Sequence, residues 1–339
     1  MINCVERKQQ ELMSNKEPMG GKIVILAGDF RQTLPIKKHA NRSEQVSLSL
    51  KQSNVWPHCK KFTLTKNIRA NPEEIEFINT LMDIGNGTTI DDNGAIVLPT
   101  QCTQCITAND LAKDIFGECI SKKDYLSMTK YAILAPYNEQ VDSYNKQILD
   151  MMDGETITYR SIDSTIDRNQ NLTEYSCKPE LLNRLESDNL PSHKLEVKKY
   201  CILMIIRNLN VKEGLCNGTR VLLLDAKPNV LKCRILTGTH KGREILIPRI
   251  SIIDDSSFVF KLKRHQFPVK LAFAMTVHKA QGQTIEKIGG DLIRDVFAHG
   301  QLYVMLSRVR GWSSLKIKLA EDNHERQVAN IVYREIFEE

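Results

Sequence analysis

No stretch of this 339-residue sequence approaches the roughly eighteen consecutive apolar residues of a membrane-spanning helix. Nor does its start carry the charged, apolar and small-residue segments of a secretory signal. These absences predict a soluble chain with no membrane partner. Cysteine is present but unframed. Nine residues, an odd number scattered along a long chain, make no disulfide framework, so a reduced intracellular setting is expected. Cys102-Thr-Gln-Cys105 is a single CxxC without a second pair or a nearby histidine pair, which falls short of a zinc site. Charge of one sign does not dominate either. The 47 Lys and Arg outnumber 41 Asp and Glu for a net +6, only a lean towards a polyanionic partner. Also missing are the phosphate loop GxxxxGK[ST] and any Asp-Glu pair. Gly20-Gly-Lys-Ile23 lacks both the spacing glycine and the metal-binding hydroxyl.

What is present can fold. The 41% apolar content can fill real cores, and the length suits two or three domains. The chain is organised around its last quarter. Phe267 to Thr276 reads as a buried strand, followed by a short helical turn closed by Gly282. Thr276 is a suitable N-cap, and a strand ending on exposed helix-start amides is prepared for an anion. His278, Lys279 and Gln281 add donors suited to phosphate. After a spacer, Leu302, Met305, Leu306 and Val309 follow helical spacing. Gln301 and Arg308, seven apart, are expected on a different face, with the Arg308 guanidinium leaving the core. Either piece alone is ordinary: a capped turn, and a solvated arginine.

Taken in order, Cys4 to Met13 is a short charged helix stopped by Pro18-Met-Gly-Gly. Lys22 to Ala27 is a continuous apolar run, as for a central parallel strand. Gly28-Asp-Phe-Arg-Gln-Thr-Leu-Pro35 follows it, at the carboxyl end where open α/β sheets bind ligands. Asp29 there suits a metal and water network, and Gln32 suits a water or a terminal phosphate. Lys37 to Arg42 is a basic loop. Phe62 to Arg69 reads as a short strand and loop. Asn71, Pro72, Glu73 and Glu74 then start a helix that Gly85 stops, with Ile75, Ile78 and Met82 as its buried stripe. Asn86 to Asn93 is a break. Tyr131 to Pro136 is a buried strand, and Asn138 caps a helix carrying Val141, Tyr144 and Ile148. From Gly154 to Gln266 short β-rich runs alternate with turns at Asn217-Gly218, Asp225 to Asn229 and Thr237-Gly238. Ser314 to Leu319 is a last strand, and the polar tail from Glu321 is expected to be helical.

In this order the pieces resemble the PIF-type (petite integration frequency) helicases of superfamily one. Gly28 to Pro35 resembles motif III, Tyr131 to Asn138 the motif IV region, and Phe267 to Thr284 motif V. Gly300 to Arg310 resembles motif VI. The stretches Pro179 to Asn183, Leu190 to Leu195 and Arg207 to Arg220 resemble the family's 2B insertion, most like the branch encoded by Helitron transposons.

The resemblance implies an α/β fold of two RecA-like parallel-sheet motor domains, the first truncated, with a small β-rich, partly SH3-like 2B insertion. Its expected boundaries are 1–93 for the rest of the first motor domain, 94–153 with 267–339 for the second, and 154–266 for 2B. It further implies ATP and Mg²⁺ as cofactors, the nucleotide binding between the motor domains, and single-stranded DNA as partner; it names no protein partner. Gln32, Arg69 and Arg308 would sense or stabilise the γ-phosphate. Asp29, Asn138, Gln281 and Gly282 would line the nucleotide site, and Thr276, His278 and Lys279 would grip the single-strand backbone. The family translocates 5′ to 3′ in repair, recombination, telomere maintenance or transposition, with a nuclear location, or a mitochondrial one, expected. By family order the absent motifs I and II should precede Lys22. The expectation is therefore the carboxyl-terminal two-thirds of such a helicase, inactive by itself. The alternative is a fragment that binds single strands or a partner without hydrolysing ATP.

Overall fold

The structure, a computed structural model, describes residues 2–35, 37, 40–103, 110–166, 178–187, 189–255, 257–258 and 260–337. Lys38 and His39 of the basic loop, and Cys105 of the CxxC, lie outside them. The chain divides into two units. One comprises Met1–Thr107, Ala280–Glu286 and Gly290–Glu339; the other comprises Ala108–Lys279 and Lys287–Gly289.

In the second unit the apolar run Tyr131–Ala135 forms the expected strand. It pairs in parallel with Ala274–Thr276, placing Thr276 opposite Ala135. The helix Asn138–Met151 buries Val141, Tyr144 and Ile148 on its inner face, as its spacing predicts. Asn145 shares that face and is buried. Its side-chain carbonyl accepts from the amides of Phe273 and Ala274 at 3.0 and 2.9 Å, and its amide donates to the Ala274 carbonyl at 3.0 Å. One side chain thus fixes the strand that leads into Thr276.

The expected single strand from Phe267 is two strands. Val269–Leu271 joins a five-stranded antiparallel sheet, ordered with Ile202–Ile205, Arg220–Ala226, Val230–Ile235 and Glu244–Pro248. Ala274–Thr276 joins the parallel one. A continuous apolar run cannot reveal that its two ends pair with different neighbours. The turns at Asn217-Gly218, Asp225 to Asn229 and Thr237-Gly238 join or flank these strands, with Gly218 and Gly238 at positive φ. Arg220, 2% exposed, donates to the carbonyls of Thr129, Tyr131 and Ala272, tying this sheet to the start of the parallel pair. A second buried arginine, Arg264, makes a two-pronged ion pair with Asp163 at 3.0 and 2.7 Å inside a three-stranded sheet.

The first unit departs more from expectation. Lys22 to Ala27 is extended but unpaired, with Ile23 96% and Ile25 89% exposed. Phe62 to Arg69 likewise forms no strand, and Phe62 and Leu64 are exposed. A strand needs a hydrogen-bonding neighbour, and among the described residues none runs beside either segment. The helix after Arg69 runs Ile75–Asn86, later than expected; Asn71 instead opens a separate turn, its carbonyl accepting from the Glu74 amide at 3.0 Å. It ends on Gly87 in the left-handed conformation, not at Gly85. Its buried face is Phe77, Leu81, Ile84 and Gly85, whereas Ile75 and Met82 are exposed. Packing decides that face: the Phe77 ring meets Trp312 edge-on at 4.9 Å.

The tail is helical only in one short 3₁₀ turn, Arg334–Ile336. Asn323 exchanges side-chain hydrogen bonds with the Gln327 backbone, which competes with a helix. Gln327–Ala329 then forms a strand antiparallel to Ala95–Val97.

Candidate functional site

The loop after Ala27 begins the site. Asp29 accepts from the Arg31 amide at 3.1 Å and from the Tyr303 hydroxyl at 2.9 Å. Tyr303 stands on the short helix Gln301–Leu306, and burial together with the Asp29 carboxylate pushes its phenol up to about 12. It therefore remains a donor near neutrality. His299 holds the same loop from the other end. Its Nε2 lies 2.8 Å from the Phe30 carbonyl, and its Nδ1 accepts from the Tyr333 amide at 2.9 Å. Those partners require a neutral ring with the proton on Nε2. Burial keeps it neutral by lowering its pKa.

Between these two residues Gly300 adopts φ +71°, and a Cβ there would lie 2.3 Å from the Arg31 carbonyl oxygen. No other residue type fits. Gly85 is similarly needed, because a Cβ would meet Arg31 Cδ at 2.6 Å. Arg31 is fixed further by its Nε bond to the Asn86 side chain at 2.8 Å. None of Tyr303, His299 and Gly300 was singled out by the sequence as a site residue, although Gly300 and Tyr303 lie within the recognisable motif and His299 directly precedes it.

Six of the sequence-derived residues lie in this unit: Asp29, Gln32, Arg69, Gln281, Gly282 and Arg308. Gln32 accepts from the Gln281 side-chain amide at 3.0 Å, and Thr33 Oγ1 donates to Gln281 Oε1 at 3.4 Å. Gly282 follows Gln281 at φ +80° and is exposed. Arg69 is half-buried, its Nε donating to Thr284 Oγ1 at 3.2 Å and its Nη1 to the Ser307 carbonyl at 2.9 Å.

Arg308 contradicts the expectation of an outward guanidinium: it is 1% exposed. The helix ends at Leu306, so the face expected from a continued helix does not apply. Arg308 folds back, Nε donating to the Val304 carbonyl at 2.9 Å and Nη2 to Ser307 Oγ at 2.7 Å. Gln301 is buried too, its side-chain oxygen accepting from the Phe297 and Ala298 amides. Burial, then the nearby Arg69 cation, lowers Arg308 to about 10, which still leaves it charged near neutrality. Among the described residues neither arginine has a carboxylate within ion-pair distance. Two neighbouring cations, offset only by the more distant Asp29 carboxylate, leave the local field positive.

The remaining sequence-derived residues belong to the other unit. Asn138 begins its helix and is exposed. Thr276 ends its strand; His278 and Lys279 stand on the following turn, Val277–Ala280. Burial lowers the pKa of His278, and Lys279 is exposed.

As to cofactors, the two guanidiniums supply positive charge around Ser307, but the Arg308 nitrogens are buried and committed to protein oxygens. A divalent cation is less well served. Both Asp29 oxygens are engaged, and no group of three His, Cys, Asp or Glu residues suited to a metal occurs among the described residues.

Known proteins resemble this chain in sequence and fold. Residues 1–95 match the family "PIF1-like helicase", and residues 180–225 match "DNA helicase Pif1, 2B domain". The Xenopus laevis ATP-dependent DNA helicase PIF1 is 25% identical over 316 residues, covering 92% of this chain and 43% of that protein. The chain thus spans under half the length of this relative. Among solved structures, the Candida albicans Pif1 helicase matches with a TM-score of 0.66 at 22% identity, over 99% of this chain and 72% of that one. A Bacteroides Pif1 helicase in complex with ADP-AlF3 and ssDNA matches with a TM-score of 0.63 at 21% identity, over 99% of this chain and 70% of that one. The fold is that of RecA-like motor domains with a 2B domain. In both family matches and in its fold, the chain is similar to the PIF-type helicases.

Proposed function

We propose that this chain forms the carboxyl-terminal part of an ATP-dependent DNA helicase that moves 5′ to 3′ on single-stranded DNA. It acts in the nucleus or mitochondrion, in repair, recombination, telomere maintenance or Helitron transposition. The observation that carries the reading is the pair Arg69 and Arg308, two cations converging on Ser307, neither in contact with a carboxylate among the described residues. Such a pair suits the charge of a transferring γ-phosphoryl group, where positioning and electrostatics supply most of the catalysis. Gln32 orients the attacking water; its hydrogen bond from Gln281 supports this role by restraining the side chain. Thr276, His278 and Lys279 contact the single-strand backbone, and Asn138 lines the nucleotide site. ATP supplies the phosphoryl group, and the Mg²⁺ ligands belong to sequence that this chain does not contain.

The test is single-strand-stimulated ATP hydrolysis and unwinding of a 5′-tailed duplex. It uses this chain joined to an upstream segment carrying GxxxxGK[ST] and an Asp-Glu pair. Unwinding only of 3′-tailed substrates would refute the direction. A joined chain that folds, binds ATP and never hydrolyses it would favour the second reading, a single-strand-binding fragment. That reading is supported by the absence of the phosphate loop from the sequence.

A further inference from the structure

Tyr200 is in the wrong backbone conformation for a tyrosine. Its φ is +68°, at a turn closed by the Cys201 amide donating to the Lys198 carbonyl at 3.0 Å, a place where glycine is favoured. Strain of this kind persists only where the surroundings hold it, and it concentrates at functional positions. The surroundings do hold it. The Tyr200 amide donates to the Leu223 carbonyl at 2.8 Å, and the buried Lys198 donates from Nζ to the Met152 carbonyl at 2.7 Å.

The side chain explains what the turn presents. The Tyr200 ring stacks on Tyr125, with centroids 5.0 Å apart and planes 18° from parallel. Both rings are half-buried, so part of the stack meets solvent. Lys199 Nζ lies 5.1 Å from the Tyr200 centroid, and Lys199 has no ion pair among the described residues. Lys122 and Lys123 precede Tyr125 and are exposed, paired with Glu118 and Asp153 at the surface. Lys123, like Tyr200, is a non-glycine residue at positive φ, 56°. Arg220 anchors the base of this corner through the Thr129 and Tyr131 carbonyls. Two strained residues thus converge on an aromatic stack edged by lysines, on a rigid support.

A packing role alone does not account for the choice. A glycine at 200 would relieve the backbone, and the stack would be the only loss. Stacked rings beside an exposed cation are what sequence-tolerant recognition of a single strand uses. We propose that Tyr125 and Tyr200 form a stacking platform for a base of single-stranded DNA, with Lys199 turning from the Tyr200 ring to the adjoining phosphate. The proposal rests on the single-strand reading above, but its site is separate from Thr276, His278 and Lys279.

The test is fluorescence anisotropy of the full chain with a labelled oligothymidylate across a salt series. A duplex of the same length serves as control. Tyr200→Gly should weaken single-strand binding on the order of tenfold, the scale of one lost base stack, while urea unfolding shows the fold retained. Because stacking releases no counterions, its log–log salt slope should stay that of the parent. Lys199→Ala should instead make the slope shallower by about 0.7. Tyr200→Phe should bind like the parent, since it keeps the ring. Unchanged affinity in a folded Tyr200→Gly chain overturns the platform and leaves the single-strand reading standing. No binding by the parent chain overturns both. Equal losses on duplex and single strand also overturn the platform, because a duplex offers no free base face.

Discussion

Arg69 and Arg308, 239 positions apart, grip the same residue: Arg69 takes the Ser307 carbonyl at 2.9 Å and Arg308 the Ser307 hydroxyl at 2.7 Å. Ser307 separates two cations that would otherwise repel one another at closer range, and it sets the spacing between them. Its own burial makes that spacing a property of the fold.

The first prediction follows from this bridge. In the upstream-completed chain, Arg308→Lys should lower ATP turnover on the order of a thousandfold, because an ammonium lacks the planar fork for phosphate oxygens. Since Arg308 is buried and bonded to Val304, Arg308→Ala should also reduce thermal stability, which a solvated arginine would not. Turnover within tenfold of the parent for folded Arg308→Lys would remove Arg308 from the phosphate-binding role.

A second concerns acid stability. His299 is neutral, and burial holds its pKa below the ordinary value of about 6.5. The unfolded chain therefore binds the proton first. Its contribution is fully present above about pH 6.5 and is lost as pH falls from there through the lowered value. Protonating Nδ1 also cancels the bond from the Tyr333 amide. Trp56 reports on this region, since its ring meets Phe30 edge-on at 5.7 Å. In a Trp312→Phe background, urea midpoints read by Trp56 fluorescence should fall between pH 7.5 and 5.5. His299→Gln should flatten that dependence. An equal slope in both chains would show that His299 is not the group responsible.

Asn145 yields a third. Asn145→Leu preserves volume but strands the Phe273 and Ala274 amides and one carbonyl inside the core. The expected loss is about 3 kcal/mol in urea unfolding, from the cost of buried unsatisfied groups. A change under about 1 kcal/mol would mean the clamp is dispensable.

Fourth, the chain as its sequence stands should not turn over ATP, because phosphoryl transfer needs the phosphate loop and metal that hold the nucleotide. Single-strand-stimulated phosphate release by the purified chain, lost in Arg308→Lys to exclude a contaminant, would contradict this.

By itself the sequence determined the elements whose signals are local. The apolar run Tyr131–Ala135, the helix from Asn138 and the turn at Asn217-Gly218 each carry their own hydrogen-bonding and steric instructions. It also made the site's outline legible, because Gln32, Arg69, Gln281 and Arg308 sit in motifs of fixed order. Only the tertiary structure decided what depends on distant partners. Lys22 to Ala27 has the composition of a strand and remains unpaired, since pairing belongs to the neighbour as much as to the run. The helix face of Ile75–Asn86 was set by Trp312, over 200 positions away. Arg308 was buried because the helix ended two residues before it, and Asn145 became a clamp because a strand 128 positions later needed its carbonyl. Burial and hydrogen bonding are satisfied across space, and a pattern read along the chain records only one of the two partners.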